Sequence, residues 1–583
     1  MKHTNGWAWG FAIALTVLFL SGQGIPLHRA ALAHPAATIL VFLLAAGLVW
    51  GRSRDRLDQG MAWMFHVSRI RFNFGVFTVA VLAYAGVAGF VFGGIPRIDD
   101  GIASLFQGRL FARGIATLPL PEDAGFCSVF GVLGAKQGLG HWCGMYPPGW
   151  PLLLAPGVRL GVPWMVNPVL GALLAVAIGE LGRHYYGDRT GRVAALLAIP
   201  SPFMAVLSGL HLSNMATALF LCLALWSLRK LWETARGFWG GAAGLTWGAA
   251  FLCRPVDAVV LGAIFALGFL TPPERLFRCR NGIAAGLAVA LLAAAVLLGF
   301  QQITTGDWRT PGHEIGLGPR GHFGFVQLTP TQAHTPATGV QHTFLRLRAL
   351  NDRLLGWAVP SLLIVMLPFL LRRARWREVF LLLPLPALLL TFACYWYYEA
   401  CFPARYISAA MPYLYLLVSR GLFDLQEAVG SSGVRARIPA FLAVSGALFL
   451  AVSTPDHFRQ YDSTFYDVEE VLPRVVRDYG IAHAVVFVES VGRGKRAGNE
   501  DNDYYGTGFM RNDLDLNGDV LYLRNRGEHD VEAIRRHPGR AAYLYRYHRG
   551  ENKAFLYRLA LDGDELRATP VEPTTPDLLT VLK

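Results

Sequence analysis

Apolar runs dominate this chain, and they recur at intervals that suit membrane-crossing helices. A bilayer core of about 30 Å asks for roughly 20 apolar residues in a helix, fewer near an interface. By that measure spans are expected near residues 7–25, 37–50, 74–94, 165–182, 193–209, 212–228, 238–252, 256–270, 281–300, 355–371, 379–397, 407–423 and 437–453. Lys2 and the apolar run behind it imitate a secretory leader, but no small-residue cleavage site follows, so this run is read as the first span. Two long loops interrupt the series, residues 95–164 and 301–354. After Thr454 the pattern turns charged and polar, with short strands expected at 484–488, 520–523, 541–547 and 554–561 and a helix at 531–536. The fold class is therefore mainly α: a polytopic bundle of about thirteen spans over residues 1–453, then a small α/β or α+β domain over residues 454–583.

Charge gives the bundle an orientation. The chain carries a formal net charge of +13 over 583 residues, which in a soluble protein would suggest nucleic acid. Here the arginines fall in short clusters between apolar runs: Arg52 to Arg71, Arg183 to Arg192, Arg229 to Arg236, Arg275 to Arg280, Arg372 to Arg377 and Arg420 to Arg437. That is the positive-inside pattern, and it excludes a nucleic-acid role. The run 238–270 decides the parity. Taken as one span it would put every later cluster outside, whereas a turn at Arg254-Pro255 keeps them inside, and proline suits such a break. The expectation is a cytoplasmic amino terminus in the inner (plasma) membrane, with both long loops and the carboxyl-terminal domain outside.

Candidate chemistry then concentrates on the outer face. Asp99 and Asp100 stand adjacent just beyond a span. Phe106, Leu110 and Phe111 among polar neighbours suit an amphipathic helix lying at the interface, and Tyr146 to Pro156 is apolar but too short and proline-rich to cross. The second loop collects His313, Arg320, His322, His334 and His342, a cationic set suited to an anionic ligand. His211, Ser213 and Asn214 open a span on the same side, either lining a pocket or capping the helix. Cys127 and Cys143 share the first outer loop, where a disulfide would persist, or they are two free thiols. Two carboxylates alone are too few for an octahedral divalent-metal shell, and Asp513 to Arg524 lacks the glutamate that closes a calcium loop, so it is read as a turn.

The aspartate pair, the run Tyr146-Pro147-Pro148-Gly149-Trp150-Pro151, the step Cys253-Arg254-Pro255 and the run Phe402-Pro403-Ala404-Arg405-Tyr406 together resemble the GT-C superfamily. More narrowly they resemble bacterial protein-mannosyltransferase-like and aminoarabinose-transferase-like enzymes, which use polyprenyl-phosphate sugars. The resemblance covers most of residues 74–453. It implies a membrane glycosyltransferase that moves a sugar from a polyprenyl-phosphate donor to an envelope glycan, lipid or protein with inversion. It also implies that an acidic residue of the first outer loop acts on the acceptor hydroxyl. Asp99 is assigned as that general base and Asp100 as its orienting neighbour, since adjacent helical side chains point about 100° apart. Arg405 is the first choice for the donor phosphate, with Arg320, His313, His322 and Arg254 behind it. Some relatives carry lysine where this chain has Tyr146, which shifts the phosphate contact towards Arg405 and the second loop. Tyr146, Pro147, Pro148, His211 and Asn214 are expected to line the pocket. No metal is assigned. The rival reading is a transporter or flippase of lipid-linked sugars, but such proteins place ionisable groups near the midplane and often carry internal repeats, neither of which this sequence shows. A third, with the carboxyl-terminal domain as the working part, leaves the many spans without a purpose.

Overall fold

Glycine and proline decide how the apolar runs become helices. The computed structural model describes residues 64–269, 273–357, 359–399, 401–429, 470–491, 504–548, 553–563 and 565–571, with isolated positions elsewhere. Its bundle helices are α1 (Arg69–Gly86), α2 (Asp99–Ala112), α3 (Gly149–Arg159), α4 (Val166–Tyr186), α5 (Asp188–Ala198), α6 (Pro202–Gly209), α7 (Asn214–Thr234) and α8 (Gly237–Cys253). They continue as α9 (Pro255–Phe269), α10 (Pro273–Thr305), α11 (Gly312–Leu317), α12 (Pro336–Arg353), α13 (Ser361–Leu370), α14 (Trp376–Leu382), α15 (Pro384–Ala393) and α16 (Met411–Ala428). The break at Arg254-Pro255 is present: α8 ends at Cys253 and α9 begins at Pro255.

Among the described residues five helices are long and apolar enough to cross a bilayer, and a sixth counts if α5 and α6, bent by 59°, form one span. Most of the other expected spans between residues 238 and 423 are present as shorter helices. Expected spans 7–25, 37–50 and 437–453 lie wholly or almost wholly outside the described residues. The helix α10 is longer than its expected 281–300 core. It takes in Arg275, Arg278 and Arg280 at its start and, at 33 residues, reaches about 50 Å.

With no hydrophobic drive between helices in lipid, close backbone approach is what packs them. Gly240 and Gly244 of α8 meet Gly282 and Gly286 of α10 so closely that a Cβ on Gly244 would lie 2.2 Å from the Gly286 carbonyl oxygen. Gly191 of α5 does the same against α4, with a Cβ there falling 2.4 Å from the Gly179 carbonyl oxygen. Where α6 ends, the side chain of Asn167 donates to the carbonyls of Leu210 and Leu212, satisfying a turn that would otherwise leave polar backbone in an apolar core.

The carboxyl-terminal residues form α17 (Val471–Asp478), α18 (Gly506–Phe509), α19 (Asp530–Arg536) and a five-stranded mixed sheet. Its strands are β1 (Ala484–Val491), β2 (Val520–Arg524), β3 (Ala541–His548), β4 (Lys553–Asp562) and β5 (Glu565–Pro570). The order is β5-β4-β3-β1-β2, with β1 parallel to both β2 and β3 and the remaining pairs antiparallel. All four expected strands are present, and β5 and α17 are additions. This sheet does not keep its own core. Ile102, Phe106, Phe126 and Trp142 of the first long loop share one apolar cluster with Val485, Phe487, Tyr505, Phe509 and Leu523.

That shared core corrects the reading of α2. It is not an amphipathic helix on a membrane surface: Ile102, Ala103, Phe106 and Leu110 are buried on one side beneath the carboxyl-terminal domain, and Gly108 meets Leu154 of α3 on another. Phe106 stands edge-on to Trp142 and packs against Phe509. Arg109 donates to the carbonyls of Met510 and Asn512, and Arg113 pairs with Asp515. The segment from Asp513 is a turn, closed by the Asn517 amide on Asp513 at 2.8 Å.

Candidate active site

The first turn of α2 carries both aspartates, and the fold turns them to opposite sides. Asp99 is only 5% exposed. A Cβ on Gly506 of the carboxyl-terminal domain would sit 3.5 Å from its Oδ1. The side chain of Asp100 retains 25% exposure and faces the bundle. Its Oδ1 accepts the Tyr146 hydroxyl at 2.5 Å and its Oδ2 pairs with Nη2 of Arg405 at 2.8 Å. Both stand at a helix N-terminus, where backbone amides favour negative charge.

Tyr146 is delivered by the Pro147-Pro148 step that opens α3. Gly149 lets that step press on the backbone of Leu252, where a Cβ would lie 2.6 Å from its carbonyl carbon. Trp150 then donates through Nε1 to the His211 carbonyl at 3.0 Å. Burial, then the nearby negative charge of Asp100, pushes the Tyr146 phenol well above its ordinary value, so it stays a donor.

Arg405 is buried and follows Ala404, whose φ of 72° makes a left-handed kink ahead of the short turn Arg405–Ala410. The carbonyl of Arg405 is held by Nδ2 of Asn214 at 2.7 Å, and the same amide reaches Ser408 Oγ at 3.0 Å. Asn214 is thus a support for Arg405 rather than a helix cap, and Ser213 at the N-cap position makes no side-chain capping bond. Beneath Arg405 a fully buried pair, Arg346 Nε to Glu399 Oε2 at 2.8 Å, ties the loop down. Glu399 accepts the Tyr406 amide and Arg346 donates to the carbonyls of Phe392 and Tyr397. Tyr406 is then flanked by the guanidinium groups of Arg405 at 5.3 Å and Arg254 at 5.4 Å. Arg254 is also neutralised by Asp257 at 2.7 Å.

From the second loop only His313 joins this group closely, its Nε2 at 3.2 Å from the Tyr395 hydroxyl. Burial lowers its pKa, against the upward pull of Asp100, so its imidazole is a neutral donor or acceptor. Arg320 and His322, the other second-loop residues expected at the phosphate, have partners of their own. Arg320 lies over Trp396, whose Nε1 donates to the Arg320 carbonyl, and exposed His322 pairs with Glu314 at 3.4 Å. His334 and His342 stack on each other at 5.8 Å between ring centroids, with His334 held by the Ala393 carbonyl and Thr338.

His211 presses its Cβ towards Gly101 in the first turn of α2, and neither ring nitrogen has a hydrogen-bond partner among the described residues. Cys127 and Cys143 are two separate buried thiols rather than a staple. Cys127 belongs to the core shared with the carboxyl-terminal domain and Cys143 to a small cluster with Leu133 and Met145. Among the described residues no three His, Cys, Asp or Glu side chains converge as a metal site.

Of the residues singled out from the sequence, Asp100, Tyr146, Arg405, His313, Arg254 and Asn214 lie together, and Arg346, Glu399, Tyr395, Tyr397 and Tyr406 join them without having been singled out. The run Tyr395-Trp396-Tyr397-Tyr398 at a span end was the available signal, but it also fits an interfacial aromatic belt. Together these residues gather a carboxylate, a guanidinium and several phenols around the partly exposed side chain of Asp100, an arrangement able to bind an anion and accept a proton.

Residues 158–300, from the end of α3 into α10, match the family model of dolichyl-phosphate-mannose-protein mannosyltransferase. The match supports the GT-C likeness over that segment, which holds the Cys253-Arg254-Pro255 step. Curated proteins give no match. Among solved structures, ArnT from Cupriavidus metallidurans in its apo state is similar at 12% identity and TM-score 0.47, covering 80% of this chain and 92% of that one. The same protein bound to undecaprenyl phosphate gives 12% identity and TM-score 0.47, with 80% and 93% covered. The apo oligosaccharyltransferase of Archaeoglobus fulgidus gives 15% identity and TM-score 0.36, with 65% and 56% covered.

Proposed function

We propose that the protein is an integral membrane glycosyltransferase of the GT-C type, moving a sugar from a polyprenyl-phosphate donor to an acceptor hydroxyl on the outer side of the plasma membrane. The acceptor is an envelope glycan, lipid or protein. One observation carries this reading: the Asp100–Arg405 pair, a base and an anion-binding group in direct contact at one opening. On this reading Asp100 rather than Asp99 is the general base, because it alone of the two faces Arg405 and Tyr146.

The chemistry follows from charge. Before the donor arrives, Arg405 neutralises Asp100. A donor phosphate competes for the guanidinium, which matches phosphate oxygens in bidentate fashion, and so releases the carboxylate. The acceptor hydroxyl attacks the anomeric carbon, its proton passes to Asp100, and the carbon–oxygen bond to phosphate breaks with inversion. Charge growing on the leaving phosphate is met by Arg405. Tyr146 and neutral His313 hold donor or acceptor oxygens in place.

The test is mass spectrometry of envelope glycans and glycolipids from cells lacking the protein, rescued with the native chain, Asp100→Asn or Asp99→Asn at equal protein levels. The native chain is expected to restore a missing sugar, Asp100→Asn to restore none, and Asp99→Asn to restore part of it. Full restoration by Asp100→Asn overturns the proposal.

A further inference from the structure

We propose that α12 lies in the bilayer interface rather than in water, with Val340 and Phe344 among lipid chains and Arg346, on its opposite side, gripping the loop that carries Arg405. The proposal goes beyond the transferase reading and does not depend on it. It gives the second long loop a lipid-binding surface.

The helix is inside-out for one that meets water. A surface helix of a soluble domain hides its apolar positions and exposes its polar ones. Here Val340 and Phe344, one turn apart on one face, are 54% and 45% exposed, while Arg346, Asn351 and Asp352 are buried. The buried polar groups are bonded inward. Arg346 pairs with Glu399 and donates to the carbonyls of Phe392 and Tyr397, and Asn351 accepts the Leu362 amide at 3.1 Å. Polar side chains turned to the protein and apolar ones turned out is the arrangement that lipid selects.

The apolar face continues into a membrane span, and that continuity names the partner. The segment Trp376–Ala393, which holds α14 and α15, is one of the helices long and apolar enough to cross a bilayer. The second loop docks on its end. A Cβ on Gly339 would lie 2.3 Å from the Ala393 carbonyl oxygen, His334 Nε2 is 3.0 Å from the same oxygen, and the Gly324 amide donates to the Cys394 carbonyl at 2.7 Å. Leu390, about one turn earlier on α15, is exposed. Phe325 stands beside Gly339 and Phe323 beside Phe392 and Tyr395, and both are exposed as well. Contiguous apolar side chains left open mark an interaction surface. At 18 residues α12 is nearly long enough to cross, but its carboxyl-terminal half carries Arg346, Arg348, Asp352 and Arg353. A helix that is apolar on one face and too charged to span lies in the plane of the interface. The consequence is a strut with lipid on one side and, through Arg346 and Glu399, the Arg405 loop on the other.

The experiment uses the full chain in phosphatidylcholine nanodiscs, with an environment-sensitive fluorophore on Phe344→Cys, Val340→Cys or Phe325→Cys. The native chain, labelled in parallel, gives the background from its seven cysteines. Two quenchers are used: phosphatidylcholine brominated in its acyl chains, and iodide in the water. Labels at the three positions are expected to emit at shorter wavelength than a label on Gln332→Cys, an exposed polar position of the same loop. They should lose intensity in brominated lipid and resist iodide, while the Gln332→Cys label does the reverse. Quenching of all three by iodide and not by brominated lipid overturns the proposal. Protection from both quenchers also overturns it, since another segment of this chain or a second copy then covers the face. Phe344→Asp supplies a second measurement, because a position in water accepts the charge and one in lipid does not. Its melting midpoint in nanodiscs is expected to fall while that of Gln332→Asp holds, and a native midpoint for Phe344→Asp overturns the proposal. None of these readings needs a donor, so they stand apart from the outcome of the transferase test.

Discussion

Arg405 and Asp100 face each other at 2.8 Å, one from the turn that leads into α16 and the other from the first turn of α2. On the proposed reading an entering donor phosphate competes with Asp100 for Arg405. Arg405→Lys keeps the charge but loses the fork and is expected to bind donor more weakly with some transfer retained. Arg405→Met is expected to lower turnover by about 10²–10³-fold, the usual loss when one group stabilising a developing anion is removed. Donor titration and single-turnover rates in purified protein separate the two effects, and equal rates for native and Arg405→Met protein would exclude a role in the chemical step.

Asn214 makes a sharper case, because it touches no expected substrate atom. Asn214→Leu removes both hydrogen bonds to the Arg405 loop, one to the Arg405 carbonyl and one to the Ser408 hydroxyl, at about 0.5–1.5 kcal/mol each. The expected result is a lower melting midpoint together with weaker binding of polyprenyl phosphate. Unchanged binding would mean that Arg405 needs no such support.

The glycine contacts between α8 and α10 predict a purely structural phenotype. Gly244→Val must separate backbones that now meet at the Gly286 carbonyl, and overpacking of this kind costs about 1–3 kcal/mol or more. Thermal unfolding in detergent should shift down, while Gly241, with nothing near its open side, should accept the same change with little effect.

Asp530 supplies a pH dependence. Burial, opposed by the Arg526 amide and nearby cations, raises its pKa to about 6, against about 3.9 in an unfolded chain. Between those values the folded state holds the proton that the unfolded state has released, so this group makes stability fall as pH rises from about 4 to about 6 and leaves it lower above that window. Asp530→Asn should therefore gain stability relative to the native chain across that interval and keep the gain at neutral pH. Melting curves at pH 4, 5, 6 and 7.5 measure it, and a constant difference would contradict the shift.

Local signals account for what the sequence revealed. The break at Arg254-Pro255 follows from proline geometry, the strands at 484–488 and 541–547 from short apolar runs, and the turn at Asp513 from its Asn and Gly neighbours. What stayed hidden depends on distant partners. Whether Asp99 or Asp100 faces Arg405 is decided by Gly506 and by the core around Phe106 and Phe509, which no periodicity in residues 99–112 encodes. Arg346 and Glu399 read as an arginine in a polar helix and an acid beside aromatics, and only the fold makes them one buried pair. Cys127 and Cys143 share a loop and a compartment, yet each packs into a different cluster.

The core shared by the first outer loop and the carboxyl-terminal sheet also sets an order of events during synthesis. Asp99 is separated from Gly506 by roughly 400 residues, which a ribosome adding about 5–20 residues per second makes in ~20–80 s. Through that interval Ile102 and Phe106 have been made while the sheet that covers their apolar faces has not. The first turn of α2 is made early and enclosed late, so a nascent chain stalled before its final strands leaves an apolar surface uncovered that marks it for degradation.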